Sequence, residues 1–381
     1  MTRILLCFFV ILLNLSCTKK EGFSEGKPIY AVQLADSIKV NYLGNLVVFD
    51  FEAETGLYLG RNNATEEILL FDDTGEIKHQ FTMHTDGPNA ITWAMGIGFL
   101  DGHVSILDRK MGIVTFTHKG SIKNVTSIPN EYFYLNSLDF AAQKLGNELA
   151  YIKPMREEFD LSDWSKTFKS IYSGPILELL EPGTSRIRTT MPFPPNTIYE
   201  DGNYYHWTFP IIRKNENEWL VSLLAERKYH VYSQKEGEIQ FDRTVDLAIE
   251  DAIDIRGVPL SRNSEMQEAS KFNIFGKIEQ IYHKGDKILV IYTKGIPEER
   301  VKQQNREDPI KWMQFIYSIP RYLAVLDQNH LLLEKDILLP GHMIFTSVLS
   351  GKGEIIAVKN QESLGLEEDD VTVYKLNVES K

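Results

Sequence analysis

The chain holds 381 residues with a formal net charge of −12, 43% hydrophobic and 11% aromatic residues, and two cysteines. That balance excludes a disordered chain and speaks against nucleic acid or an anionic lipid surface as partner. Cys7 and Cys17 both lie at the extreme N-terminus, so the remainder can build neither a disulfide framework nor a thiolate metal site.

Residues 1–17 read as a secretory signal. Arg3 supplies a positive charge, an apolar run covers residues 4–13, and Asn14-Leu15-Ser16-Cys17 follows. The run is far shorter than the ~20 apolar residues a membrane span needs, but it has the length of a signal core. Ending on Cys17 with Ser16 before it, the segment reads as a lipoprotein signal with Cys17 lipidated. Asn14 stands where such signals usually carry leucine. Residues 18–27 are small, charged and aperiodic, a flexible tether between lipid and domain.

From residue 28 the dominant signal is strand. Short runs rich in Val, Ile, Tyr and Phe alternate with Gly, Asp, Asn and Lys. One unit recurs: apolar strand, polar turn, second strand. Its clearest copy is Ile68-Leu69-Leu70-Phe71-Asp72-Asp73-Thr74-Gly75-Glu76-Ile77. Further copies place turns at His118-Lys119-Gly120, Glu181-Pro182-Gly183, Gln234-Lys235-Glu236-Gly237 and Asp327-Gln328-Asn329, and residues 371–376 start a sixth. Their spacing is that of four-stranded propeller blades. The absence of helices alternating with strands disfavours a parallel α/β sheet. Two fused β-sandwiches are the competing architecture. The expected fold is all-β, a six-bladed β-propeller over residues 28–378 with short helical inserts at 154–170, 259–273 and 297–311. In the second insert, Ser264-Glu265-Met266-Gln267 has the form of a capping box.

The same residues resemble a family. The hairpin at 68–81 is followed by Thr85-Asp86-Gly87-Pro88-Asn89 and by Phe99-Leu100-Asp101-Gly102-His103-Val104-Ser105-Ile106-Leu107-Asp108. This order is similar to that in the TolB-like six-bladed β-propeller lipoproteins of unknown function from certain Gram-negative bacteria. Glu368-Asp369-Asp370-Val371-Thr372-Val373-Tyr374 looks like their last blade. The resemblance implies the fold and an outer-membrane lipoprotein setting at the cell envelope, open to the exterior. It implies no catalytic residues. Lys19-Lys20-Glu21 also resembles the charged signals that sort such lipoproteins outward.

Chemistry-bearing patterns are few. No two histidines have the spacing that puts a metal-ligand pair on one strand or helix face, no Gly-x-Ser-x-Gly elbow is present, and no phosphate loop or calcium loop occurs. No catalytic residue, metal ligand or cofactor is therefore assigned. A calcium ion in the central channel would need carboxylates and amides from several blades. The cluster Tyr204-Tyr205-His206-Trp207, with Trp93 and Trp312, supplies candidate ligand-binding residues on aromatic grounds. The bland reading makes residues 200–203 a hairpin turn and 204–209 a strand packed between blades. The inserts are the expected specificity elements.

These observations favour a lipid-anchored binding module for an envelope protein, peptide or glycan. The competing readings are a metal-dependent propeller hydrolase or lyase and a structural subunit of an envelope complex. Substituting Cys17→Ser is expected to move the protein from the membrane to the soluble fraction on cell fractionation. Continued membrane retention of that variant would refute lipid attachment at Cys17.

Overall fold

The recurring strand–turn–strand unit is the outer half of a propeller blade. The computed structural model describes residues 29–129, 133–134, 137–156, 160, 162–184 and 186–381. The signal segment, Cys17 and the tether lie outside the described residues. Six four-stranded antiparallel sheets follow one another along the chain. Blade I comprises Val47–Glu52, Leu57–Asn62, Glu67–Phe71 and Ile77–Thr82; blade II Ala94–Leu100, His103–Asp108, Gly112–Phe116 and Ile122–Thr126. Blade III comprises Gln143–Leu145, Glu148–Ile152, Leu177–Leu180 and Ile187–Thr190; blade IV Ile211–Asn215, Glu218–Ser222, Lys228–Lys235 and Glu238–Asp246. Blade V comprises Ile274–Lys284, Lys287–Ile296, Arg321–Asp327 and Leu332–Leu338. Blade VI joins Met343–Leu349, Ile355–Lys359 and Val371–Ser380 to the first strand of the chain, Tyr30–Val40. The fold is thus an all-β, six-bladed propeller closed by its own N-terminal strand.

Alternation explains the packing. In Glu67–Phe71, Leu69 and Phe71 enter the apolar cluster between blades VI and I, whereas Ile68 and Leu70 enter the one between blades I and II. In Lys287–Ile296, Ile288 and Val290 face blade IV, while Leu289 and Ile291 face blade VI. Successive side chains point to opposite faces of a strand, and here each face meets a neighbouring blade. Middle strands therefore read as continuous apolar runs.

The turns in the outer halves fall where the recurring unit places them. At Asp72-Asp73-Thr74-Gly75, the Asp72 carboxylate accepts the Thr74 N–H at 2.9 Å and the Glu76 N–H at 3.2 Å. Gly75 has φ +84°, and a Cβ there would sit 2.0 Å from the Lys39 carbonyl oxygen, so glycine is required. Asp327 repeats the device, accepting the N–H groups of Asn329 at 2.8 Å and Leu331 at 2.9 Å. The sixth unit differs from expectation. Its strand runs on to Ser380, and its partner is Tyr30–Val40 from the other end of the chain, so no turn closes it.

The inserts form helices α1 (Trp164–Ile171), α2 (Met266–Ser270), α3 (Glu298–Lys302) and α4 (Pro309–Tyr317); a further helix, α5 (Gln361–Leu364), lies where no insert was expected. Two expectations are corrected here. Ser264 caps nothing: it lies within a 3-10 turn, Leu260–Glu265, and the residue before α2 is Glu265, which makes no side-chain cap. The third insert reaches Tyr317, because Asp308 caps a second helix by accepting the Lys311 N–H at 3.1 Å with Pro309 at its first position. No described helix is long and apolar enough to cross a membrane.

Polar contacts also lock blades together. The Tyr229 hydroxyl lies 2.8 Å from His330 Nδ1, and His330 Nε2 lies 3.0 Å from the Glu218 carboxylate. A carboxylate only accepts, so Nε2 carries a proton.

Ring closure is testable at Ile38, which is 2% exposed and packs in the cluster containing Tyr58 and Phe71 of blade I. Ile38→Ala is expected to cost about 2–5 kcal/mol in denaturant unfolding. Leu34→Ala on the same strand, 55% exposed, is expected to stay within about 0.5 kcal/mol. Equal effects would show that closure does not bear on stability.

Candidate functional site

Antiparallel order divides the connections between two faces. Turns joining first to second and third to fourth strands lie on one face, the turn face. Connections from second to third strands, and from one blade to the next, lie on the other, the insert face. All five helices among the described residues fall in this second class, as do the two-stranded pairings of Phe133–Tyr134 with Pro154–Met155 and of Asn203–Tyr204 with Val258–Pro259. Tyr30 pairs with Ser380 and therefore enters from the turn face.

The axis is polar. Register shifts interrupt the innermost strands at Val48/Asp50, Ala94/Gly96, Ile278/Gln280 and Phe345/Leu349. Such bulges re-aim side chains. Asp50 accepts the Phe51 N–H at 2.8 Å and, across the blade boundary, the Phe99 N–H at 2.7 Å. A Cβ on Gly98 would lie 3.1 Å from the same carboxylate oxygen. Burial deep within the ring pushes the Asp50 carboxyl up to about 6, with the neighbouring Glu52 adding to the rise; the two N–H donors and Arg213 oppose it. Arg213, from blade IV, pairs with Asp139 from the connection into blade III. It also donates to Gln280 Oε1 of blade V at 2.6 Å and to the Ile212 carbonyl at 2.8 Å. Its buried Nε has no partner. Ser347 of blade VI donates to the Phe49 carbonyl at 3.2 Å. Side chains from separate blades thus converge, and Asp50 and Asp139 both meet protein donors. Among the described residues no group of three His, Cys, Asp or Glu is placed to hold a metal ion.

The insert face is concave beside the axis. A cavity of about 400 Å³ opens between blades IV, V and VI, lined by Phe209, Ile211, Lys277, Glu279, Tyr317 and Arg321 among others. Arg321 Nε donates to Glu279 at 2.7 Å. A second hollow, about 330 Å³, lies at the entry to blade II and is lined by Arg61, Glu66 and Trp93.

The sequence candidates scatter over this face. Trp93 is 51% exposed at that second hollow, with the Arg109 guanidinium 5.7 Å from its ring. Asp108 holds the turn by accepting the N–H groups of Thr92 at 2.8 Å and Trp93 at 2.9 Å. Trp312 lies within α4, with Arg306 4.6 Å from its ring. Tyr204–Trp207 is a packing cluster. Phe168 of α1 meets Tyr204 at 4.4 Å and Trp207 at 4.9 Å between ring centres. Tyr205 is buried; its hydroxyl donates to Asp201 at 2.5 Å and its N–H donates to the Tyr172 hydroxyl at 3.0 Å. The Tyr172 hydroxyl in turn donates to the His206 carbonyl at 2.6 Å. His206 itself sits at φ +65°, and burial lowers its imidazole pKa. The expected strand over 204–209 is corrected: only Asn203–Tyr204 pairs, after a 3-10 turn at Ile198–Glu200. The rings turn to cover a helix instead of sitting between blades.

Asp50, Asp139, Arg213, Gln280 and Lys277 escaped the sequence reading. Asp50 and Arg213 did leave a trace, as single charges within the apolar runs Val47-Val48-Phe49-Asp50-Phe51 and Ile211-Ile212-Arg213.

No family model and no curated protein matches this sequence. Solved structures do match its fold. A member of the DUF4221 family from Bacteroides vulgatus superposes with a TM-score of 0.64 at 12% identity, covering 93% of this chain and 100% of that one. A Bacteroides fragilis protein inferred to be exported gives 0.55 at 13% identity, over 92% and 95%. The chain shares a six-bladed propeller fold with neighbours of unknown function.

The raised Asp50 pKa has a defined sign. Between the ordinary aspartate value of 3.8 and about 6 the folded state binds the extra proton, so this residue's contribution to stability falls as pH rises through that window. Carbon NMR is expected to show Asp50 titrating near 6. In Asp50→Asn, the loss of stability from pH 4 to pH 7 should be smaller by about 2 kcal/mol. A midpoint near 4 with no difference between the proteins would refute it.

Proposed function

We propose that this chain is a lipid-anchored binding module of the cell envelope. It is held through Cys17 at the outer membrane, allied to TolB-like propeller lipoproteins, and recognises an envelope protein, peptide or glycan with its insert face. The observation that carries the reading is sidedness. Among the described residues, helices and cavities gather on one face, and the closing strand begins on the other. A tether leaving the turn face would direct the insert face away from the membrane. The acidic net charge fits a partner other than nucleic acid. A solved neighbour inferred to be exported fits the envelope setting.

Within that face, α4 carries the strongest exposed apolar signal. Pro309-Ile310-Lys311-Trp312-Met313-Gln314-Phe315-Ile316-Tyr317 contains no buried residue, and Ile310 is 71% exposed. Photo-crosslinking residues placed at Ile310 and Met313 are expected to capture envelope partners in intact cells. The same probe at Glu236 and Asp286, in turns of the opposite face, should not. Capture confined to Glu236 and Asp286, or equal at all four positions, would overturn the assignment of the working face.

A further inference from the structure

We propose that the cavity between blades IV, V and VI binds a small organic carboxylate with an apolar body, and that Lys277 is its counter-ion. The inference rests on the insert face being the working face and names the chemistry of one site within it.

Three charged side chains line this cavity: Lys277, Glu279 and Arg321. Glu279 and Arg321 neutralise each other at 2.7 Å. Lys277 is a half-buried residue of a paired strand, and among the described residues its ammonium makes no hydrogen bond or ion pair. The cavity therefore carries one uncompensated positive charge in a chain of net charge −12. With no anion beside it among the described residues, the Lys277 ammonium can take one from a ligand without giving up an existing partner.

The rest of the lining is mainly apolar: Phe209, Ile211, Leu223, Leu224, Ile344 and Phe345. The volume of about 400 Å³ lies in the range of small-molecule sites. Phe209 is held at φ +36°, a left-handed conformation that aromatic residues rarely adopt, and is 39% exposed at the cavity. Strain of this kind persists where the surroundings enforce it, and it gathers at ligand clamps.

The charge count selects a monoanion. A phosphate dianion needs two free cations or a nest of N–H donors. Arg321 is committed to Glu279, whose carboxylate would repel a second negative charge. A single carboxylate opposite Lys277 leaves its apolar body for the Phe209 and Ile344 side of the cavity.

Two sources supply that chemistry, an acyl chain and the C-terminus of a peptide ending in apolar residues. The test uses purified, lipid-free protein carrying Cys17→Ser and isothermal titration. Octanoate is compared with 1-octanol, and acetyl-leucyl-leucine with its C-terminal amide. At least one carboxylate should bind saturably, tenfold or more tighter than its uncharged counterpart, and the tighter carboxylate identifies the source. Lys277→Met should abolish that preference and Lys277→Arg should restore most of it, with circular dichroism confirming the fold. Phe209→Ala should weaken the carboxylate and its uncharged counterpart alike. Equal binding of charged and uncharged forms by the unsubstituted protein, absence of binding by both carboxylates, or a preference that survives Lys277→Met would overturn the proposal. The titration uses isolated protein whereas partner capture is scored in cells, so each can fail without the other.

Discussion

Closure of the ring by Tyr30–Val40 is the constraint on which the other features depend. The strand pairs antiparallel with Val371–Ser380 from Tyr30↔Ser380 to Val40↔Val371, with one irregularity between Leu34 and Asp36. It joins residues more than three hundred positions apart, a contact whose chain entropy is lost long before local pairing compensates it. Once formed, it gives each blade two neighbours. That is why Leu69 and Leu70, adjacent in sequence, can both be fully buried on opposite faces of one strand. Without closure, the faces now covered between blades VI and I would meet water, Ile38, Val40, Tyr58 and Phe71 among them. The outermost strands bear the remaining exposure. Ile77–Thr82 alternates half-buried and exposed residues along its length, with Lys78 and Gln80 on the outside, which blunts an edge that could otherwise recruit another strand.

Closure by the first strand also sets the polarity of the molecule. Because Tyr30 starts beside Ser380, the closing strand begins on the face of short turns. The helices then occupy the far face by topology alone, since each lies in a second-to-third-strand or blade-to-blade connection. The turn face has little room to vary, as turns such as Asp101-Gly102 and Glu216-Asn217 hold their strands in tight register. Lengthening a loop on the insert face costs little more than loop entropy, so the helical inserts accumulate there.

The sequence made the outer halves of the blades legible because their turns have a chemical requirement that shows in the residues: Asp to accept N–H groups and Gly to adopt positive φ, as at Asp72 and Gly75. Sequential strands also preserve their alternation locally. The axis was not legible. Asp50, Asp139, Arg213 and Gln280 come from four separate segments, and only ring geometry brings them together. The expected strand over 204–209 gives way for a related reason. Tyr204, Tyr205 and Trp207 suit a strand by propensity, but α1 lies over them, and burying Phe168 against Tyr204 and Trp207 outweighs strand pairing. Ser264 failed as a cap because the chain tightens into a 3-10 turn before α2 begins.

Two cations near the axis are held in contrasting ways. Arg213 and Lys277 lie on innermost strands of adjacent blades. Arg213 is tied to Asp139, Gln280 and its neighbour's carbonyl, and Asp50 contributes a further favourable charge. Removing any of these leaves a buried charge or dipole less compensated. Lys277 lies one blade further on, lining a cavity, and has no such ties. A guanidinium suits the first place because its planar fork can hold several acceptors at once; an ammonium on a flexible stem suits the second because it can follow an incoming anion. Apart from its buried Nε, Arg213 is engaged by the fold and has little left to offer a ligand. The unsatisfied lysine beside it is therefore where binding energy remains available.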